Sequence, residues 1–155
     1  MRGAYTLVID LHEDLFFTLK SLGNLNFQRG TWVYVGSAMG RGSTSLENRI
    51  KRHFRKEKVI HWHIDHLLNS DSRIKSAIFA ESNTKVECTL AQRIEELDGI
   101  VPGPKGFGAS DCTQGCFTHL FYSKTTKIEE AIMTTFEQLN LNPRKTQDGN
   151  IEETT

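Results

Sequence analysis

Residues 31–40 read TWVYVGSAMG. Trp32, Val33, Tyr34 and Val35 are aromatic or β-branched, so Thr31–Ser37 predicts a strand, and Gly36, Gly40 and Gly42 mark where the chain leaves it. Glycines after a strand can cradle a nucleotide phosphate. A Walker loop, however, closes on Lys-Ser/Thr, because the ammonium neutralises the β- and γ-phosphates. Here Ser43 follows Gly42 with no Lys, and the dinucleotide pattern G-x-G-x-x-G is not matched either. The glycines are read as the turn from strand to helix.

Working outward, Ala4–Leu11 is rich in Tyr, Leu, Val and Ile and predicts another strand. Leu15–Leu19 offers a further one, and Gly23–Gly30 carries turn residues that suggest an antiparallel hairpin or meander leading into Thr31–Ser37. Ser43–Ser45 can cap a helix on which Leu46, Ile50 and Phe54 share a face. Ile60–Leu68 predicts a short helix, Ile74–Ala80 a strand, and Thr84 can cap a helix to about Leu97, with Glu87 completing a capping box. Gly99–Ala109 holds Pro102, Pro104 and four glycines and reads as a long loop. Phe117–Tyr122 predicts a late strand and Ile128–Leu139 a final amphipathic helix. The expectation is one domain over 1–141, followed by a polar, frayed tail over 142–155. Strands first, then helix and strand in alternation, point to an α+β fold with a mostly antiparallel central sheet flanked by helices.

The chain has 155 residues, with 37% apolar and 25% charged, which suits a globular domain and excludes wholesale disorder. No apolar run approaches the roughly 20 residues a membrane span needs, so no membrane role is expected. Three cysteines without a secretory signal favour a reducing cytoplasm. The net charge of zero hides an asymmetry. From Arg41 to Lys58 stand Arg41, Arg49, Lys51, Arg52, Arg55, Lys56 and Lys58 against only Glu47 and Glu57. Such a local excess attracts polyanions, although a charge run by itself is most simply a solvated helix face.

Gly3-Ala4-Tyr5 begins one strand and Tyr34-Val35-Gly36 lies in another, with Arg49 on the next helix and His53 four residues on. This ordered set resembles the GIY-YIG nuclease superfamily. The fuller pattern adds HWHID at 61–65, Glu87-Cys88, and GFGASDC at 106–112. It resembles the branch called domain of unknown function 123, whose members occur alone or joined to endonuclease III-type DNA glycosylases. The resemblance implies hydrolysis of DNA phosphodiesters with Mg or Mn, in DNA repair and with a DNA-repair protein as a partner. It implies catalytic roles for Tyr5, Tyr34 and Arg49, with His53 at a position where relatives carry His or Tyr, and His61 as an alternative base. A phenol suits proton transfer to or from the attacking water, a guanidinium grips phosphate oxygens in a planar fork, and a histidine titrates near neutral pH. Glu87 is the implied metal ligand, with Glu95 or Glu96 as replacements in another register. Arg41, Lys51, Arg52, Arg55, Lys56 and Lys58 would bind the nucleic-acid backbone. The spacing from Tyr34-Val35-Gly36 to Arg49 is longer than in the superfamily, with MGRGST inserted, and Ser37 stands where some repair nucleases have Lys. The rival reading is a non-catalytic DNA-binding or repair-partner module on the same fold.

Cys112-x₃-Cys116-x₂-His119, with Cys88, supplies a second constellation. A Cys₃His set is a reasonable structural zinc site, and free thiols acting as small buried apolar groups are the competing reading.

Overall fold

Two nine-residue, largely buried strands lie side by side in the middle of a sheet. In the computed structural model, which describes residues 1–56, 58–109 and 112–151, β1 (Gly3–Leu11) runs antiparallel to a later strand over Gly30–Ala38. Between them, β2 (Leu15–Leu19) and β3 (Gly23–Phe27) form a separate two-stranded hairpin. The strand Gly30–Ala38 is β4, and β5 (Ser72–Glu81) covers the other side of β1. With β6 (Ile100–Pro102), β7 (Leu120–Ser123) and β8 (Arg144–Thr146) the sheet has six strands in the order β6-β7-β4-β1-β5-β8. Every pairing is antiparallel, and the fold is α+β.

Helices cover both faces, which is why β1 is apolar on consecutive residues rather than on alternate ones. Tyr5, Leu7 and Ile9 face α1 (Leu46–Phe54), α2 (His63–Leu68) and the hairpin, in a core with Leu46, Ile50, Ile64, Leu67, Phe27 and Phe107. Ala4 and Val8 face α3 (Glu87–Glu95) and α4 (Ile128–Gln138), packing with Val33, Val35, Leu90, Ile94, Ile132 and Phe136. Ser45 caps α1, its hydroxyl accepting from the Asn48 amide at 3.3 Å.

Several expectations are corrected. Gly23–Phe27 is a strand that pairs with Leu15–Leu19 and not with β4, because Gly23 turns the chain at a φ of 80° and β4 already has a partner on each edge. The helix expected from Ile60 begins only at His63, since Trp62 is extended. Thr84 does not cap α3. The residue before that helix is Val86, and the Thr84 amide donates to the Ser82 hydroxyl in a turn. The loop Gly99–Ala109 contains β6, where Pro102 is tolerated on an edge strand. The tail expected to fray from 142 instead adds β8 at the opposite edge, with Arg144 over the Phe79 ring and Lys145 paired with Glu129. Residues 152–155 of that tail lie outside the described residues, as do Glu57 of the basic run and Ser110 and Asp111 of the GFGASDC segment.

Candidate functional site

Tyr5 pairs across the sheet with Gly36, and Leu7 pairs with Tyr34. Period-two alternation therefore puts both phenols on the same face as diagonal neighbours, their ring centroids 6.4 Å apart. Gly36 has a use the sequence did not suggest. A Cβ there would sit 2.5 Å from the Tyr5 ring and hydroxyl. Gly108 plays the matching part for Tyr34, with a φ of +68° and a hypothetical Cβ 2.8 Å from that ring. Burial pushes both phenols up, and the negative charge of Glu87 adds to it, so both are un-ionised at neutral pH.

Gly36→Ala tests the first of these cradles. The Tyr5 ring lies between the glycine and His53, so a methyl group there pushes it off its His53 hydrogen bond. The substitution is expected to cost about 1–3 kcal/mol, read as a lower denaturant midpoint. An unchanged midpoint would mean that the ring does not lie across Gly36.

His53 was expected to act on substrate, and the structure places it elsewhere. It is 1% exposed behind Tyr5, with its Nε2 2.7 Å from the Tyr5 hydroxyl and its Nδ1 unpartnered. Burial drives its pKa down to about 3, so the ring is neutral. It touches Tyr5 and not the open cavity, which makes it a positioning residue for the phenol.

A cavity of about 440 Å³ opens in front of the phenols. Tyr5, Tyr34, Arg49, His61 and Glu87 all line it, together with Trp62, His63, Lys85, Cys88 and Gly108. The first five come from β1, β4, α1, the extended run before α2, and the first turn of α3. Glu95 and Glu96, more than two turns further along the chain, are not among the lining residues. Arg49 is held in place at its edge: one guanidinium N–H donates to the Ser37 carbonyl at 2.7 Å, and the group lies 5.1 Å from the Trp62 ring centre. His61 is exposed and packs edge-on against Trp62 at 4.7 Å. His63 accepts from the Gly108 amide through Nδ1 at 3.1 Å, tying the loop before Cys112 to α2. Burial pulls its pKa down, and His66 adds to the effect.

Arg52, expected among the nucleic-acid contacts, is committed to the interior. Its two terminal nitrogens donate to both oxygens of Asp65 at 3.0 Å, and it stacks 4.5 Å from the Trp62 ring centre. Asp65 is fully buried and also accepts from the amides of His61 and Trp62. Burial alone would raise its pKa, but Arg52 and those two amides hold the carboxyl below the usual carboxylate range. Lys58 is half-buried, its ammonium donating to the Arg55 carbonyl, and burial lowers its pKa. Arg41, Lys51, Arg55 and Lys56 are exposed. Arg55 and Lys56 line a second cleft with His53, Arg73 and Lys75, and among the described residues that cleft shares none with the phenol cavity.

Behind Glu87, the side chains of Cys88, Cys112, Cys116 and His119 converge, their ligand atoms all within 4.8 Å of one another. Cys88 and Cys112 are free thiols with sulfurs 2.7 Å apart, and His119 Nε2 lies 3.9 Å from Cys88 Sγ. His119 is fully buried. Its Nδ1 is 3.3 Å from Glu87 Oε2, inside ion-pair range but off the hydrogen-bond direction. Burial raises the thiols, yet at Cys112 the hydrogen bond from Cys88 prevails and the pKa falls to about 6, while Cys116 rises to about 11.

Sequence reasoning missed Trp62 as a platform, Gly36 and Gly108 as cradles, and His63 as a brace. A tryptophan between two histidines was the available signal for the first. The others depend on pairings that only the fold creates. No helix of the described residues is long and apolar enough to cross a membrane. No curated protein and no solved structure matches the chain. The match that does exist spans residues 4–141, most of the chain and every residue placed in the cavity, and by it the chain belongs to the family described as domain of unknown function DUF123.

Proposed function

We propose that this chain is a metal-dependent endonuclease-like domain of GIY-YIG type that hydrolyses DNA phosphodiesters, in the setting of DNA repair. One observation carries the reading: Tyr5, Tyr34, Arg49, His61 and Glu87, brought from five separate segments, line one cavity. These are the positions at which the resemblance to that superfamily puts its working groups. Phosphodiester hydrolysis needs a base for the attacking water and cationic donors for the phosphate charge. Arg49 supplies the donors, since the Ser37 carbonyl takes one N–H of a fork that has five. Tyr5 is the first group for proton transfer with the attacking water, its hydroxyl held in direction by Nε2 of the neutral His53 at 2.7 Å. Tyr34 orients that water, and His61 on the rim is a second base.

Glu87 fits the part of metal ligand. Its carboxylate lines the cavity and is one-quarter exposed, and a single carboxylate suffices for a Mg²⁺ ion that keeps several waters. Such an ion supplies charge neutralisation and a more acidic bound water. Arg41, Lys51, Arg55 and Lys56 hold the flanking backbone, with little sequence preference.

The test combines cleavage with binding. Supercoiled plasmid, branched DNA and single strands are incubated with the protein and Mg²⁺ or Mn²⁺, and nicked product is expected. Retention in gel shifts is expected to fall steeply with salt, with a log–log slope of roughly −0.9 per phosphate contact. Replacing Lys51 and Arg55 together by Ala is expected to reduce the slope by about 2. Binding without a nick on any substrate would leave a DNA-binding module. Neither binding nor cleavage would remove the nucleic-acid reading altogether.

A further inference from the structure

We propose that Cys88, Cys112, Cys116 and His119 form a closed structural zinc site that clips the loop before β7 to the start of α3, with Glu87 orienting the histidine. The inference goes beyond the nuclease reading and does not depend on it.

Three observations converge. The first is the donor set. Three thiols and one imidazole have their ligand atoms within 4.8 Å of one another, close enough to share one ion. Three sulfurs and a nitrogen in a tetrahedral arrangement select zinc among the common divalent ions. The second is that Cys88, 24 residues before Cys112, joins a local Cys112-x₃-Cys116-x₂-His119 group. Cys88 stands in the first turn of α3, Cys112 and Cys116 in the loop, and His119 immediately before β7. The approach of Cys88 to the other three is therefore a product of the tertiary fold. The third is His119 itself. It is fully buried, with Nε2 toward Cys88 and Nδ1 toward the Glu87 carboxylate at 3.3 Å. A metal-bound histidine characteristically offers its other ring nitrogen to a carboxylate, which fixes the tautomer and the ring orientation.

The backbone explains what the clip would hold. The His119 amide donates to the Phe107 carbonyl at 2.9 Å, and the His119 carbonyl accepts from Val35 of β4 at 2.9 Å. The loop thus runs past Tyr34 with Gly108 against its ring. Four protein ligands would fix that loop to α3 and set the carboxylate of Glu87 at the cavity wall. Zinc binding requires the thiols to lose their protons, so affinity would rise with pH.

The full chain, purified without chelator from zinc-supplemented medium, is expected to carry one zinc per chain by elemental analysis. Its three thiols are expected to resist a thiol reagent until a chelator is added. After zinc removal, cobalt(II) is expected to bind at one equivalent, with thiolate charge-transfer absorption and tetrahedral d–d bands. Cys112→Ser should lose that spectrum; should that variant fail to fold, the wild-type cobalt and thiol readouts decide. Glu87→Gln should keep one zinc but bind it about 10–100-fold more weakly. Zinc well below one per chain with all thiols reactive overturns the proposal. So does a cobalt spectrum without the thiolate band, or an intact mass showing a Cys88–Cys112 disulfide. DNA cleavage is not a readout in any of these measurements, so the two proposals can fail separately.

Discussion

Arg49→Ala is expected to lower the rate of phosphodiester cleavage by about 10²–10³-fold, with the loss in kcat rather than in KM. The guanidinium lines the cavity and is anchored by the Ser37 carbonyl and the Trp62 face, so it is aimed before substrate arrives. A donor of fixed direction stabilises the charge that builds on the phosphate in the transition state, and a flexible ammonium does this poorly. Arg49→Lys is therefore expected to recover little of the rate. The experiment is cleaner than one on the phenols. Tyr5→Phe also removes the partner of the buried His53 nitrogen, mixing a stability loss with a catalytic one. Arg49 is only half-buried, and its alanine variant should stay folded, as circular dichroism and thermal melting would verify. Cleavage within about twofold of wild type by a folded Arg49→Ala protein would remove the guanidinium from the mechanism.

What the sequence allowed to be read, and what it hid, divides along physical lines. β1, β4, α1 and α4 announce themselves because each is long enough for its apolar pattern to stand clear of its surroundings. β8 is a three-residue polar strand held by main-chain pairing to β5, and no side-chain pattern marks such an element. The same limit applies to the site. The order of Tyr5, Tyr34, Arg49 and Glu87 was legible, and the structure places all four around one cavity. The capping-box reading would have tied Glu87 back to Thr84; the helix begins after Val86 instead, which leaves the carboxylate at the cavity wall. His53 and Arg52 were misplaced for one reason. Both are polar residues on a basic helix, and periodicity gives each one's direction around the helix but not which directions the fold buries. A four-residue step from Arg49 carries His53 from the cavity edge to the interior behind Tyr5. Arg52 turns inward because α2 presents a buried carboxylate to it, a partner thirteen residues away that spacing does not reveal.

Asp65→Ala is expected to be the most destabilising of the substitutions considered. The carboxylate is fully buried and satisfies four donors: two from Arg52 and the amides of His61 and Trp62. Breaking a buried ion pair by removing one partner costs about 3–5 kcal/mol; here about 3 is expected, because the Arg52 side chain keeps 23% of its exposure and can find water. For a domain of this size that is a melting temperature lower by roughly 10 °C. Removing both partners should cost less than removing Asp65 alone, since no uncompensated guanidinium is left behind. The pH dependence has a definite sign. Burial would raise this carboxyl, but Arg52 and the two amides hold it below the ordinary value of about 3.9. Its contribution is therefore complete above that value and is lost as the pH falls through the lower, folded one. The stability gap between wild type and Asp65→Asn should be constant from neutral pH down to about 4 and shrink below it. A gap that persists unchanged in acid, or an Asp65→Ala protein that melts with wild type, would show that the pair does not hold the segment. The consequence reaches the cavity through Trp62. Its amide is pinned by Asp65, and its ring carries Arg52 near one part of its surface and Arg49 near another. Loosening Asp65 should therefore weaken cleavage as well, by releasing the platform that aims Arg49 and the His61 amide beside it.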